Sequence, residues 1–241
     1  MKKLFLLVLC MPLLVFSQDQ KRLALVIGNS DYNGQDSLEN PVKDAFLVAK
    51  TLKSLEFDVI LGTDIETTED FKRIILEFAD KRPDYDIAFI YYAGHAMQLK
   101  SRELKPTNKN YLLPTKYPFT SESEVRIYGI PVSDIMMELE KSEGQGANIL
   151  VLDACRDNRF EMMIYPEDFA VKRSIGGDKG RGLAKIPSIK GSLIAFSTSS
   201  GMTADDGEGR DNSVYCESLC KNMIIKDITI SQVFIKTRED V

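Results

Sequence analysis

The chain has 241 residues, of which 44% are hydrophobic and 28% are charged. This composition is typical of a globular protein with a sizeable core and gives no sign of disorder, and the length suits one α/β domain or a domain with appendages. The formal net charge is -5, which argues against a nucleic acid as a partner.

The N-terminal segment MKKLFLLVLCMPLLVFS has the pattern of a targeting sequence. Two lysines precede an apolar stretch that is too short for a comfortable membrane span, and Ser17 is a small residue at its end. We interpret residues 1–17 as a bacterial secretory signal peptide and residues 18–241 as an exported domain, periplasmic or secreted, without a membrane span. A lipoprotein anchor at Cys10 is disfavoured because Leu9 is bulky where a small residue is expected.

Apolar runs alternate with amphipathic segments in the first half of the exported part. Pro41 stands at a favourable first helical position, and Thr68 is a candidate cap for the second helix. The predicted helices carry apolar stripes at helical spacing: Val42, Ala45, Phe46, Ala49, Leu52 and Leu55 in the first, and Phe71, Ile74, Ile75 and Phe78 in the second. The predicted elements are strands over 22–29, 58–61 and 86–94 and helices over 40–57 and 67–82.

The second half begins with a polar segment that contains NYLLP and continues the alternation. A Gly- and charge-rich connection of about three dozen residues exceeds ordinary loop lengths, so we expect a mobile loop around 157–190. The remaining predicted elements are a helix near 131–142, strands over 147–155 and 191–200, and helices near 213–224 and 229–240.

The alternation of strands and helices predicts the α/β class, with a three-layer α-β-α sandwich and a mainly parallel sheet. In such sheets ligands bind at the carboxyl ends of the strands. The topology therefore brings Asn29, His95, Cys155 and the residues after Ser197 to one edge of the sheet.

His95, the only histidine of the chain, follows one predicted strand, and Cys155 ends another. A thiolate is a nucleophile, and a nearby imidazole can lower the pKa of the thiol and later protonate a leaving amine. Either residue alone would more often have a structural role. Their topologically matched positions favour a catalytic Cys/His pair.

Seven segments, in order, carry a resemblance to a known family: RLALVIGNSDY, LENPVKDA, YYAGHA, NYLLP, ILVLDACRDNRF, RGLA and IAFSTSSGMTADDGEGRDNSVY. From about residue 22 to 238 the chain resembles the caspase-like cysteine peptidases, specifically bacterial caspase-domain proteins related to metacaspases and paracaspases. The run DACR is similar to the caspase signature Gln-Ala-Cys-[Arg/Gln/Gly]-Gly. It departs from that signature at Asp153 and Asp157, which replace the Gln and the closing Gly.

The resemblance implies a caspase-like sheet and peptide-bond hydrolysis through an acyl-enzyme, with Cys155 as nucleophile and His95 as acid and base. It also implies an oxyanion hole made by the backbone N–H groups of Cys155 and Ala96. Family members usually have Gly at the second place, and Ala loses the freedom to adopt a positive φ. If that conformation were needed, the donor would be misplaced, so a catalytically inactive module that binds peptides or partners is the alternative.

The resemblance further implies a polypeptide substrate cut after Arg or Lys, because metacaspase-like enzymes use an acid two residues before the nucleophile. Asp153 occupies that position, and Asp36, Asp205 and Asp206 could join it. A carboxylate facing the cleft would select a guanidinium or ammonium group by charge-assisted hydrogen bonds. The alternatives are a strand-end carboxylate that accepts backbone N–H bonds for Asp153 and solvated loop charges for the other three.

Regulation is the subject of two further hypotheses. Basic residues in the long connection, among them Lys172, Arg173, Lys179 and Arg181, suggest self-cleavage, with a flexible solvated loop as the alternative. No cofactor is predicted. Calcium activates many metacaspases, but no metal-binding spacing in the sequence supports it here.

We interpret Cys216 and Cys220 as small apolar core residues on one face of a helix. The sequence reaches Val241 before the last edge strand that the resemblance to caspase-like folds implies. Either the sheet lacks this strand, which would leave an open edge capable of self-association, or the sequence is a fragment. A flavodoxin-like or nucleotide-binding protein using GNSDY is the third functional reading, although the chain has no G-x-G-x-x-G or P-loop.

Overall fold

The computed structural model describes residues 20–32, 37–100, 108–141, 146–155, 192–197 and 210–241. The strands are β1 (Arg22–Gly28), β2 (Phe57–Thr63), β3 (Ile87–Lys100), β4 (Asn108–Leu112), β5 (Ile130–Pro131), β6 (Ala147–Cys155) and β7 (Ser192–Phe196). The helices are α1 (Pro41–Ser54), α2 (Thr68–Lys81), α3 (Glu122–Tyr128), α4 (Val132–Lys141), α5 (Val214–Met223) and α6 (Ile230–Asp240), with a short 3-10 turn at Arg82–Asp84.

Within these ranges, seven strands form one sheet. Its main part is parallel, in the order β2, β1, β3, β6 and β7. The second half of β3 pairs instead with β4 in antiparallel orientation, and β4 pairs with β5. The predicted α/β class and the mainly parallel sheet are confirmed.

Helices cover both faces of this sheet. On one face, α2 and α4 pack their apolar side chains against alternate strand residues such as Leu25, Ile90 and Leu152. On the other face, α1, α5 and α6 pack against Val26 and Val151 and their neighbours. The predicted three-layer sandwich is confirmed.

Two local predictions for the helices need correction. Phe46 belongs to the predicted inner stripe of α1, but its side chain is 54% exposed, and Val48 is buried instead. The cap of α2 is Thr67 rather than Thr68, because the Thr67 hydroxyl accepts the Asp70 backbone N–H. Pro41 occupies the first turn of α1 as predicted.

The third predicted strand is also wrong at its end, because β3 does not stop at Gly94 but continues through His95 to Lys100. Parallel pairing with β1 ends at Ala93. From Ala96 onward the strand finds a new antiparallel partner in β4, which satisfies its backbone hydrogen bonds and allows it to continue. Side chains of this extension lie in a third apolar cluster that includes Tyr32, Met97, Leu99, Tyr111, Leu113 and Phe119.

The predicted signal peptide over 1–17 and the whole of the predicted loop around 157–190 lie outside the described residues, so the domain boundaries remain predictions. None of the helices in the described ranges is both long and apolar enough to cross a membrane.

Candidate active site

His95 and Cys155 are direct partners in the parallel pairing of β3 with β6. Cys155 is the last residue of β6, and its partner is the residue at which β3 changes neighbours. Neighbouring strands of a sheet lie about 4.8 Å apart, so the register brings the two backbones side by side although 59 residues separate them in sequence. Of Cys155 the structure describes the backbone.

The backbone of His95 is held by two buried tyrosines. Its N–H donates to the Tyr32 hydroxyl at 2.9 Å, and its carbonyl accepts the Tyr92 hydroxyl at 2.6 Å and the Leu113 N–H at 3.1 Å. The rings of Tyr32 and His95 are in contact, with centroids 4.4 Å apart and planes inclined by 53°. His95 itself is 7% exposed. The residue therefore sits in a firmly bonded part of the strand.

Gly94 has a φ of +147°, which L side chains rarely adopt. A Cβ at this position would also lie 2.8 Å from the Tyr32 hydroxyl oxygen and 2.9 Å from that of Tyr92. Gly is thus required just before His95 by both the backbone conformation and the space available. The positive φ therefore occurs at Gly94, and not at Ala96, where the resemblance to the family raised the question of such a conformation.

Ala96 is extended and pairs with Leu112. Hydrogen-bonded and non-hydrogen-bonded pairs alternate in an antiparallel ladder, and the Leu113 N–H already bonds to the His95 carbonyl. Ala96 with Leu112 is therefore the non-hydrogen-bonded pair. Its N–H points away from β4, toward the edge of β3 along which β6 runs. The Cβ of Ala96 causes no conformational strain in this extended backbone.

Asp153, two residues before Cys155 on β6, is partly buried. One of its carboxylate oxygens accepts the Tyr91 hydroxyl at 2.8 Å and the Ser213 hydroxyl at 3.5 Å. Burial, with the adjacent Asp153 charge, raises the pKa of Tyr91 well above its ordinary value, so this phenol remains a neutral donor. The two hydroxyls orient the carboxylate.

Ser213 connects Asp153 to a buried carboxylate, that of Asp44 on α1. Asp44 accepts the side-chain amide of Asn212 at 2.8 Å and the backbone N–H of Ser213 at 3.0 Å. The Ser213 hydroxyl also caps α5 by accepting the Cys216 N–H. Desolvation raises the pKa of Asp44 above its ordinary value of 3.8, against the lowering effect of these hydrogen bonds. The start of α5 is thereby tied to both α1 and β6.

The other cysteines of the described part are Cys216 and Cys220, which are free and buried in the layer formed with α1. The hydrogen bond with Cys220 and burial raise the pKa of the Cys216 thiol. For Cys216 this environment suits a core residue and not a reactive thiol.

Three of the predicted specificity residues, Asp36, Asp205 and Asp206, lie outside the described residues. In the part of the chain that is described, no cluster of three or more His, Cys, Asp or Glu side chains could hold a metal ion. The predictions of no cofactor and of possible calcium activation therefore stay predictions.

Sequence reasoning did not assign roles to Tyr32, Tyr92 or Ser213. A signal for the tyrosines was present, because Tyr92 lies within a strand of otherwise mostly aliphatic residues and a buried Tyr usually needs a partner for its hydroxyl. The partner itself, the His95 backbone, could not be read from the sequence.

Comparison with known proteins assigns the family. The family model described as the caspase domain of peptidase family C14 matches residues 21–241. The chain belongs to the caspase-domain family. This is a family of cysteine peptidases that act on polypeptides.

The relatives of this caspase domain are distant. The chain is 26% identical over 135 residues to the human mucosa-associated lymphoid tissue lymphoma translocation protein 1 and to its mouse homologue. The match covers 56% of the chain but 15% of each relative. The structure is similar to that of the Drosophila initiator caspase Dronc, with a TM-score of 0.58 at 13% identity, covering 90% of this chain and 73% of that one. This last similarity concerns the fold alone.

Proposed function

We propose that this caspase domain is an active cysteine endopeptidase that cuts polypeptides after Arg or Lys. The observation that carries the proposal is the register of β3 and β6, in which His95 is the partner of Cys155, the last residue of β6. A peptide bond bound at this edge could meet both groups at once. Family membership supports the reaction class, and the register supports the choice of His95 and Cys155.

The reaction would proceed in two steps. The Cys155 thiolate attacks the carbonyl carbon of the scissile bond, the C–N bond breaks, and the imidazolium of His95 gives its proton to the leaving amine. Neutral His95 then takes a proton from water, whose oxygen attacks the thioester carbonyl. The C–S bond of the thioester breaks, the carboxylic acid product leaves, and the Cys155 thiolate and the His95 imidazolium are restored.

The oxyanion would be bound by the backbone N–H groups of Ala96 and Cys155. The direction of the Ala96 N–H, away from β4 and toward the β6 edge, supports this role. Such preorganised donors are worth about 10²–10³ in rate each. The extended backbone of Ala96 removes the conformational reason for expecting an inactive protein.

The preference for a basic residue would come from Asp153, with Asp36, Asp205 and Asp206 as further candidate acids. The Tyr91 and Ser213 hydroxyls hold the Asp153 carboxylate without adding an opposing charge. A guanidinium or ammonium group would gain a charge-assisted hydrogen bond there.

Hydrolysis of short fluorogenic peptides ending in Arg, Lys or Asp tests the proposal, with and without calcium. We expect the protein to cleave after Arg or Lys and the Cys155→Ala and His95→Ala variants to be inactive. Absence of activity in the folded wild-type protein, together with slow alkylation of Cys155, would favour the inactive binding module instead.

Export is proposed from the N-terminal pattern alone. Expression of the full chain in a bacterial host, followed by N-terminal sequencing of the periplasmic fraction, would detect cleavage after Ser17.

Self-cleavage within the 157–190 loop is tested by the intact masses of the wild-type protein and the Cys155→Ala variant. Size-exclusion chromatography of the same samples tests the predicted self-association through an open sheet edge.

A further inference from the structure

Both backbone polar groups of His95 are bonded to phenol hydroxyls, an unusual arrangement inside a sheet. In a regular antiparallel pair, the two residues exchange two N–H···O bonds. His95 and Leu113 make one of them, from the Leu113 N–H to the His95 carbonyl at 3.1 Å. The reciprocal bond is replaced by the Tyr32 hydroxyl.

This hydroxyl is inserted between the two strands. It accepts the His95 N–H at 2.9 Å and donates to the Leu113 carbonyl at 3.1 Å. In an uninterrupted ladder the His95 amide nitrogen and the Leu113 carbonyl oxygen would be about 2.9 Å apart. The inserted oxygen therefore separates the His95 N–H from the Leu113 carbonyl and takes the place of the missing backbone bond between β3 and β4.

The surroundings hold the hydroxyl in place. Gly94 leaves space for it, as the 2.8 Å approach of a hypothetical Cβ shows. The Tyr92 hydroxyl oxygen lies 3.2 Å from it. The side-chain amide of Asn29 donates to the same Leu113 carbonyl at 3.0 Å and fixes the end of β4. Tyr32 is buried, and burial raises its phenol pKa, so the hydroxyl stays protonated.

We propose that Tyr32 is a positioning residue for His95. Its hydroxyl sets the distance of the His95 backbone from β4, and its ring sets the plane of the imidazole. The inference rests on the proposed function, because it explains how the general acid and base is kept in register with Cys155. Tyr32 is buried, so it acts through His95.

The Tyr32→Phe variant removes the hydroxyl and keeps the ring. Without the inserted oxygen, the His95 N–H can bond directly to the Leu113 carbonyl, and His95 moves toward β4. A misplacement of about 1 Å can cost about 100-fold in rate, so we expect kcat to fall by about 10- to 100-fold. KM should stay within about twofold, because the substrate pocket is untouched.

Tyr111→Phe is the matched control. Tyr111 is a buried tyrosine of the same apolar cluster, on β4, and the same single oxygen is removed. We expect this variant to keep the wild-type kcat. A Tyr32→Phe enzyme with a kcat within about twofold of the wild-type value would overturn the proposal, as would equal losses in the two variants.

A second readout does not need activity. His95 is the only histidine, so histidine-selective isotope labelling gives a single imidazole spin system in NMR spectra. We expect its chemical shifts and titration midpoint to change in Tyr32→Phe and to be unaffected in Tyr111→Phe. Identical His95 titrations in all three proteins would overturn the positioning role.

These measurements separate the two claims. If the wild-type protein cleaves no peptide, the proposed function fails, and the NMR titration still decides whether Tyr32 controls His95. If Tyr32→Phe does not fold, amide hydrogen exchange in the wild-type protein decides: the His95 N–H should be strongly protected, and exchange at the rate of an unbonded amide would refute the bond on which the inference depends.

Discussion

Gly94 shows how one missing methyl group shapes the candidate site. It has a φ of +147° between the last residue of β3 that pairs with β1 and the first that pairs with β4, and two hydroxyls lie where a Cβ would be. Only Gly meets both conditions, because a side chain would be strained there whatever its size.

We predict that Gly94→Ala lowers the free energy of unfolding by about 1–3 kcal/mol and abolishes peptidase activity, since a disfavoured backbone conformation is of this order. Gly62→Ala is the control, because its Cβ would mainly meet flexible isoleucine side-chain ends. Urea denaturation measures the free energy of unfolding of both variants. A loss in Gly94→Ala no larger than that in Gly62→Ala would contradict the prediction.

Asp153 allows a test of charge selection at a single residue. We predict that Asp153→Asn reduces kcat/KM for an Arg peptide by about 10- to 100-fold, because a hydrogen bond to a charged group is worth about 1.5–3 kcal/mol. Alkylation of Cys155 by uncharged iodoacetamide should not change. Asp80→Asn, an exposed α2 residue, controls for net charge. Equal losses of kcat/KM in Asp153→Asn and Asp80→Asn would argue against a role of Asp153 in substrate specificity.

At the scale of elements, Asp44 connects α1 to the start of α5. Because desolvation raises its pKa, the folded state binds this proton more tightly than the unfolded state does. The stabilisation from this group is therefore complete below pH 3.8 and is lost as the pH rises through the folded-state pKa.

We predict that the stability difference between the wild type and Asp44→Asn falls as the pH rises above 3.8, until the folded-state pKa is passed. Asp70 gives the opposite control, because the hydrogen bond from Thr67 lowers its pKa. The corresponding difference for Asp70→Asn should rise with pH. Thermal unfolding across a pH series measures both stability differences. If the difference for Asp44→Asn did not change with pH, the raised pKa of Asp44 would be wrong.

The elements also show what the sequence could predict. Long periodic runs such as 22–29 and 67–82 identified strands and helices, because their apolar pattern reflects a buried face. The extension of β3 was missed, since its continuation depends on β4, a partner that no local pattern reveals. For the same reason, the sequence could bring His95 and Cys155 to one edge but could not show that Tyr32 holds His95.

At the scale of the whole molecule, both faces of the sheet are sealed by helices, so both layers should contribute to one cooperative unit. We predict that Leu219→Ala on α5 and Leu139→Ala on α4 each lower the free energy of unfolding by about 2–5 kcal/mol, because both side chains are buried. Leu76→Ala, 54% exposed on α2, should change it by less than about 0.5 kcal/mol. Separate unfolding transitions for the two layers would contradict this picture.

The change of partner at His95 has a consequence for biosynthesis. The antiparallel ribbon of β3 and β4 joins residues close in sequence, such as Ala96 and Leu112, whereas pairing with β6 requires closure of a much longer loop. During translation, we expect the ribbon to form while β6 is still inside the ribosome. The imidazole would then be in place before the strand that carries the thiol is synthesised, so under the proposed function an incomplete nascent chain would lack the nucleophile and be inactive.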